Sequence, residues 1–122
     1  MLMDPWIESL VGTPYDDDHD CYWAVRIVLR HDLGIELPNR PMGWRKYGVV
    51  LPKGTELGRD DILFFSMNAQ GLTDHVGVVV GPGDFLHADR HCGQAVCEAL
   101  ERRAHLIKAV GRTWAAMRIQ AE

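Results

Sequence analysis

The chain has 122 residues, of which 47% are hydrophobic and 25% are charged. A chain of this length can bury one core without cross-links, so we predict a single domain over residues 1–122. The net charge of -4 argues against nucleic acid as a partner, and three cysteines are too few for a disulfide framework. No apolar run approaches the roughly 20 residues of a membrane helix, so we expect no membrane insertion.

The N-terminal residues carry no recognisable export signal. Residues 1–8 lack both a basic region and an uninterrupted apolar core. We therefore expect cytoplasmic synthesis without a signal peptide, and a substrate outside the cell would require another route of delivery.

Two helices are predicted in the first third of the chain. Asp4 as N-cap and Pro5 at the first helical position predict a short helix over residues 3–10. The second helix runs from Cys21 to Leu33, with Asp20 as N-cap and Gly34 as the stop. Its apolar residues follow the helical spacing i, i+3, i+4, i+7 and i+8 and form one continuous face: Cys21, Ala24, Val25, Val28 and Leu29.

Cys21 is the candidate nucleophile, because it is the first residue of this helix and belongs to the face that packs inward. A helix N-terminus favours negative charge and lowers the pKa of a cysteine thiol, although the neighbouring Asp20 charge opposes this effect. A base must come from elsewhere in the fold. His75, which starts a Val-rich strand, suits that role.

The remainder of the chain predicts an antiparallel sheet and hence an α+β fold with one helix-first segment. A helical turn is expected around residues 44–47 and a helical stretch over 100–108. Strands are expected at residues 61–65, 76–80, 85–88 and 114–119, with a shorter one near 95–97.

Two residues compete for the task of orienting His75. His75 and Gly77 share one strand face, and Gly77 would let the helix approach closely. The simplest three-residue turn pairs Val79 with His87, which leaves His75 roughly 13 Å from His87 along the ladder. A bulge, a strong twist or a longer turn must close this gap, or Asp89 takes the orienting role instead.

These segments resemble the successive motifs of the NlpC/P60 cell-wall peptidases, which are papain-like cysteine peptidases of bacteria and phages. The resemblance spans residues 5 to 119, with the motifs in family order. It implies a papain-like fold in which the nucleophile helix packs on an antiparallel sheet. It also implies hydrolysis of amide bonds in peptidoglycan stem peptides, commonly the bond between D-glutamate and a diamino acid. The matching segments are Gly12-Thr13-Pro14-Tyr15, Asp20-Cys21, Asp61-Ile62-Leu63-Phe64-Phe65, Asp74-His75-Val76-Gly77-Val78 and Phe85-Leu86-His87-Ala88.

The resemblance also assigns roles to site residues and implies no cofactor. Cys21 matches the nucleophile, His75 the base and later the acid, and His87 the polar residue that orients His75. Tyr15 matches a tyrosine beside the nucleophile, and its hydroxyl and the Cys21 N–H could both donate hydrogen bonds to an oxyanion. Trp44, in a segment rich in Pro and Gly, is expected to line a substrate groove.

No metal site is expected. His87, His91, Cys92 and Cys97 contain zinc-ligand residue types, but they lack a CxxC pair. We therefore treat His91, Cys92 and Cys97 as ordinary strand and surface residues, and His87 keeps its expected role beside His75.

Tyr22 and Trp23 follow the candidate nucleophile where the family commonly has small residues. This feature looks more like the branch found in phage tail and prophage proteins. We therefore expect phage tail proteins as partners and action in the periplasm or cell wall. Two alternatives stay open: a catalytically silent structural or binding component of a phage tail, and a cytoplasmic cysteine amidase or acyltransferase.

Overall fold

The computed structural model describes residues 4–67 and 73–121. Among these residues no helix is both long enough and apolar enough to cross a membrane. In chain order the elements are α1 (Pro5–Leu10), α2 (Cys21–Leu33), a 3₁₀ helix (Pro41–Lys46), β1 (Gly48–Val50), β2 (Ile62–Phe65), β3 (His75–Gly81), β4 (Asp84–Asp89), β5 (Gln94–Ala99), two 3₁₀ turns (Leu100–Arg102 and Ala104–Leu106), β6 (Ile107–Thr113) and α3 (Trp114–Ala121).

The two N-terminal helices begin at the caps that the sequence indicated. The Asp4 carboxylate accepts a hydrogen bond from the Trp6 N–H at 2.8 Å, and the Asp20 carboxylate accepts one from the Trp23 N–H at 2.8 Å. Gly34 ends α2 in the left-handed conformation, with a φ of 69°. The predicted bounds of α2 are confirmed at both ends.

The six strands form one antiparallel sheet in the order β1-β6-β2-β3-β4-β5. Helix α2 packs on β3 and β4. The buried face of α2 meets alternate residues of β3, namely Val76, Val78 and Val80, in the larger core cluster. A smaller apolar cluster around Val79 and Phe85 covers the opposite face of the sheet.

The side of the sheet on which Gly77 lies corrects one expectation. A Cβ at Gly77 would lie 3.1 Å from the Phe85 ring and 3.3 Å from the Phe65 ring, both in the smaller cluster. Because side chains alternate along a strand, Gly77 faces away from α2 while Val76 and Val78 face it. The small residue therefore admits aromatic rings on the far face, and the prediction that it admits the helix was wrong.

The C-terminal part of the chain differs most from expectation. The segment predicted as a strand over 114–119 is α3, because the Thr113 hydroxyl caps the helix by accepting from the Ala116 N–H at 3.1 Å. The last strand, β6, lies one segment earlier, and two 3₁₀ turns replace most of the predicted helix over 100–108. Strand β6 was not predicted, because Gly111 and its charged residues interrupt the apolar pattern of a strand. It nevertheless lies inside the sheet, between β1 and β2.

Candidate active site

Cys21 is the first residue of α2 and is half-buried against the start of β3. The N–H groups in the first turn of a helix lack intrahelical acceptors, so they are free to face an anion. The backbone N–H of Val76 is among the groups that lower the pKa of the Cys21 thiol. The sulfur thus lies where the helix N-terminus meets the sheet.

The protonation of Cys21 at rest departs from the sequence expectation. Burial raises the pKa of the Cys21 thiol, and the Asp20 carboxylate adds to the rise. The backbone N–H groups of Val76, Tyr22 and Cys21 itself lower the pKa, but they do not outweigh the loss of solvent. The helix N-terminus therefore lowers the pKa as expected, but burial outweighs it and the net shift of the resting thiol is upward.

Cys21 and His75 border the same cavity, which has a volume of about 280 Å³. Two exposed residues, Thr73 and Asp74, lie at its rim. The structure thus brings together the two side chains that the sequence paired, while their catalytic roles stay predictions. Among the described residues the lining is Cys21, Trp44, Phe64, Thr73, Asp74, His75 and Val76.

His75 and His87 contact one another directly. The Nε2 atom of His75 lies 2.7 Å from the Nδ1 atom of His87, and the two rings are nearly perpendicular at 79°. Strands β3 and β4 pair Val78 with Leu86, with an irregularity in the ladder before the turn. This register, continued by one residue, places His87 opposite Gly77 and only two residues from His75. The roughly 13 Å expected of an ideal hairpin therefore does not apply, and the expectation that a bulge could close this gap is confirmed by the irregularity in the ladder.

Asp89, the alternative orienting residue, has other partners. Its carboxylate accepts hydrogen bonds from the His91 N–H at 2.8 Å and from the Cys92 thiol at 3.4 Å. Its charge raises the pKa of His75, in opposition to the larger effect of burial. The geometry therefore favours His87 over Asp89 as the residue that holds the His75 ring.

Both imidazoles are neutral at pH 7. Burial, together with the charge of His87, lowers the pKa of His75 to about 4. Burial likewise lowers the pKa of His87, whose side chain is almost fully enclosed. With the Cys21 pKa raised, the resting site holds a neutral thiol beside a neutral imidazole, and this imidazole can accept a proton.

The two predicted binding residues lie in different places. Trp44 is buried on the 3₁₀ helix, lines the cavity and packs against Phe64 with 5.5 Å between ring centroids. Tyr15 lies outside the lining: its N–H donates to the Gly93 carbonyl at 2.9 Å, and the Arg90 guanidinium stands 5.7 Å from its ring centre. A contact of Tyr15 with an oxyanion stays a prediction.

Three contributors to the site escaped the sequence analysis. Phe64 forms part of the cavity wall, and Glu98 and Arg103 lie beyond His87 on the far face of the sheet. Side chains alternate between the two faces of a strand, so the position of Phe64 in the predicted strand over 61–65 could have shown that it lies on a different face from Leu63 and Phe65. Nothing in the sequence indicated Glu98, because its position depends on the pairing of β4 with β5.

A larger cavity of about 760 Å³ lies at the other end of β3, next to the turn into β4. Within residues 4–67 and 73–121, its lining includes Arg59 and the half-buried Cys97 but no histidine. It offers a thiol without an imidazole, so the smaller cavity is the candidate active site.

The comparisons with known proteins agree with the motifs. The model of the NlpC/P60 family matches residues 10–110. The chain is 30% identical over 94 residues to the "Probable endopeptidase YafL" of Escherichia coli, covering 69% of this chain and 37% of that protein. It is 31% identical over 83 residues to the "Probable endopeptidase NlpC homolog" of Haemophilus influenzae, covering 68% of this chain and 42% of that protein. The chain thus spans well under half the length of these curated relatives.

Two solved structures share the fold. One is NlpC2 from Trichomonas vaginalis, with a TM-score of 0.74 and 18% identity over 90% of this chain and 45% of that chain. The other is the NlpC/P60 domain of the peptidoglycan hydrolase SagA, with a TM-score of 0.66 and 20% identity over 87% of this chain and 92% of that chain. The α+β, papain-like fold that the resemblance implied is thereby confirmed. Since the family model covers most of the sequence, the chain belongs to the NlpC/P60 family.

Proposed function

We propose that this domain is a cysteine endopeptidase that hydrolyses amide bonds in peptidoglycan stem peptides. The observation that carries the proposal is the shared cavity of Cys21 and His75, with His75 held from behind by His87 at 2.7 Å. Two of its relatives bear the name of probable endopeptidases, and one structural neighbour is a domain of a peptidoglycan hydrolase.

The first half of the reaction forms an acyl-enzyme. The Cys21 sulfur attacks the amide carbonyl carbon as its S–H proton passes to the free Nδ1 of His75. The S–H bond breaks, C–S and N–H bonds form, and the carbonyl oxygen becomes an oxyanion that the Cys21 backbone N–H can receive. Collapse of this intermediate breaks the C–N bond, and His75 returns the proton to the departing amine.

The second half of the reaction releases the acid and restores the resting site. His75 removes a proton from a water molecule, whose oxygen attacks the thioester carbon. The C–S bond then breaks, and the proton returns to the sulfur. One amide and one water thus yield one carboxylic acid and one amine, and the scheme requires no cofactor.

The aromatic wall of the cavity supports a peptide substrate over a small polar one. Trp44 and Phe64 supply apolar surface beside the nucleophile, and Asp74 supplies an exposed acidic group at the rim. A peptide can place apolar side-chain groups against this wall and an amino group near the acidic rim, which complements these two features.

Digestion of purified sacculi tests this function. We expect the wild-type protein to release fragments with new free amines, detected by mass spectrometry, and Cys21→Ser to release none. Cys92→Ser is the matched control, because it removes an exposed thiol outside the cavity and should leave release unchanged. Release by the Cys21→Ser protein, or none by the wild type on sacculi of several wall types, contradicts the proposal.

We also propose that the protein acts in the periplasm or cell wall in association with phage tail proteins. This rests on the bulky pair that follows the nucleophile: Tyr22 is buried and its hydroxyl donates to the Pro38 carbonyl at 2.6 Å, while Trp23 is half-buried. Mass spectrometry of purified particles from the host, after prophage induction, should find the chain among the tail proteins. Its recovery only in the unassembled fraction contradicts this part of the proposal.

A further inference from the structure

Behind the active site, four polar side chains contact one another in a line that extends from β3 to β5, the edge strand of the sheet. The Nε2 atom of His75 meets Nδ1 of His87 at 2.7 Å, and Nε2 of His87 lies 3.7 Å from Oε1 of Glu98. The other oxygen of Glu98, Oε2, accepts from the Arg103 Nε at 3.1 Å. Four side chains from three strands and one turn are therefore aligned behind Cys21.

Strand pairing explains why Glu98 reaches His87. His87 of β4 pairs with Val96 of β5, and Phe85 pairs with Glu98. Because positions two apart share a strand face, Glu98 lies on the same face of the sheet as His87. Only 1% of the His87 side chain and 15% of the Glu98 side chain are exposed, so water has little access to the space between them.

The proposed role of His75 as a base determines which ring nitrogen carries the hydrogen in His75 and in His87. To accept the thiol proton, a neutral His75 must have a bare Nδ1 and carry its hydrogen on Nε2. That N–H faces Nδ1 of His87, which must then be the acceptor, so the hydrogen of His87 lies on Nε2. This Nε2 is buried and has no hydrogen-bond partner within ordinary distance. A buried N–H without an acceptor costs roughly 1–3 kcal/mol.

We propose that Glu98 is a positioning residue of this site, whose carboxylate holds the hydrogen of His87 on Nε2 and thereby keeps Nδ1 of His75 free to take the Cys21 proton. At 3.7 Å the carboxylate lies beyond ordinary hydrogen-bond distance, so it acts through its negative charge, which favours the tautomer of His87 that presents an N–H to it. The inference rests on the proposed function of the site, and it adds a residue that contacts neither the cavity nor the substrate.

Arg103 completes the line by balancing the charge of Glu98. Its guanidinium pairs with the other carboxylate oxygen at 3.1 Å, and its charge adds to the larger effect of burial in lowering the pKa of both imidazoles. Glu98 and Asp89 raise the pKa of His87, and Asp74 and Asp89 raise that of His75. Burial keeps both imidazoles neutral, and Arg103 holds the carboxylate and partly offsets its charge.

A divalent cation is the competing occupant of this space. One ligand atom each from His87, Asp89 and Glu98 lies within 4.8 Å of the other two. A metal on Nε2 of His87 would move the His87 hydrogen to Nδ1 and the His75 hydrogen to Nδ1 as well, which would block the base. Arg103 already places a positive charge on Glu98, and Asp89 already accepts two hydrogen bonds, so the observations favour the proton.

The tautomers can be measured directly by ¹⁵N NMR of the histidine-labelled wild-type protein at pH 7. We expect His87 and His75 each to carry hydrogen on Nε2 and to have a bare Nδ1, with no change on addition of EDTA. A His87 hydrogen on Nδ1 would overturn the proposal, and a spectrum that EDTA or added Zn²⁺ converts would assign the space to a metal. This readout needs no turnover, so it stands apart from any failure of the proposed function.

Variants then connect the tautomer to the chemistry. Glu98→Gln should lower kcat/KM roughly ten- to a hundredfold, less than the ~10⁴ seen when a carboxylate bonded directly to a catalytic imidazole is neutralised. Its pH profile should move to lower pH, while Arg103→Gln should move the profile to higher pH, because the two charges act on the imidazoles in opposite directions. Glu98→Asp, which keeps the charge, should recover part of the rate.

Glu101→Gln is the matched control, because it removes the same charge from an exposed site on the neighbouring turn. It should leave the rate, the pH profile and the NMR tautomers at their wild-type values. If Glu98→Gln shifts the pH profile no more than Glu101→Gln does, Glu98 has no positioning role. A loss of rate with unchanged tautomers and pH profile would show a merely structural role and would also refute the proposal.

Discussion

At the scale of single residues, the site combines a thiol that resists ionisation with an imidazole that resists protonation. Burial produces both effects: it raises the pKa of Cys21 and lowers that of His75 to about 4. The sequence predicted both as site residues, because a cap followed by a cysteine and a histidine at a strand start are local patterns, and the structure places both on one cavity. It could not give their protonation at rest, since burial depends on how α2 packs on β3.

These pKa directions predict the pH dependence of activity. Below about pH 4 His75 is an imidazolium and cannot accept the thiol proton, so kcat/KM should fall about tenfold per pH unit. Above about pH 4, kcat/KM should stay constant through pH 7. The raised pKa of Cys21 means that the thiol ionises, and the rate changes again, only at alkaline pH. The measurement is kcat/KM on a soluble stem peptide from pH 3.5 to 9, with circular dichroism to confirm folding. An acidic limb near pH 6.5, the ordinary histidine value, would contradict this prediction.

At the scale of elements, the helices and strands that were predicted correctly are those marked by a local sequence signal. The N-caps Asp4 and Asp20 and the stop Gly34 are local, and they placed α1 and α2 correctly. Strands with continuous apolar runs were also found. Strand β6 was missed because Gly111 interrupts it, and that glycine is explained only by Trp44, which lies more than sixty positions earlier in the chain.

Gly111→Ala tests this contact between β6 and the cavity wall. A Cβ at Gly111 would overlap the indole ring of Trp44, which is only 5% exposed and lines the cavity. We expect the free energy of unfolding to fall by about 1–3 kcal/mol, as measured by urea denaturation. We also expect KM to rise more than kcat falls, because Trp44 moves while Cys21 and His75 stay.

Gly81→Ala is the control for this substitution, since a Cβ there meets no atom within 4 Å and the φ angle is not in the left-handed region. It should change stability by less than about 0.5 kcal/mol. Equal stability of the two variants would show that Trp44 yields to the added methyl group without cost.

At the scale of the whole molecule, a charged cluster joins the two N-terminal helices to the sheet. The Arg59 guanidinium donates to Asp32 of α2 at 2.8 Å and to Asp4, the cap of α1, at 3.2 Å. Asp60 lies beside them, buried, with a φ of 73° and one carboxylate oxygen without a partner. Burial and the charge of Asp32 raise the pKa of Asp60 to about 8. This assembly of distant residues was not predictable from local patterns.

Asp60→Asn should make the protein more stable at alkaline pH. The pKa of Asp60 is raised above its ordinary value, so between about pH 4 and pH 8 the folded state binds one more proton than the unfolded state. The free energy of unfolding therefore falls as the pH rises through this range. Asparagine cannot ionise, suits the left-handed conformation and still donates to Asp32. At pH 8.5 we expect the variant to exceed the wild type by at least about 1 kcal/mol in urea denaturation.

Near pH 4 the two proteins should differ little, because Asp60 is then protonated in the folded wild type. Asp17→Asn, at an exposed loop position, should follow the wild type at both values of pH. A wild type that is as stable at pH 8.5 as Asp60→Asn would show that Asp60 ionises without cost.

The central claim is that His75 activates Cys21, and site-resolved alkylation tests it most directly. Iodoacetamide is applied at pH 6, where His75 is neutral and can take the thiol proton as the sulfur reacts, and each cysteine is quantified by mass spectrometry. We expect Cys21 to be labelled faster than Cys92 and Cys97 and to lose this advantage in His75→Ala. Labelling of Cys21 no faster than the other two, and unaffected by His75→Ala, would contradict it.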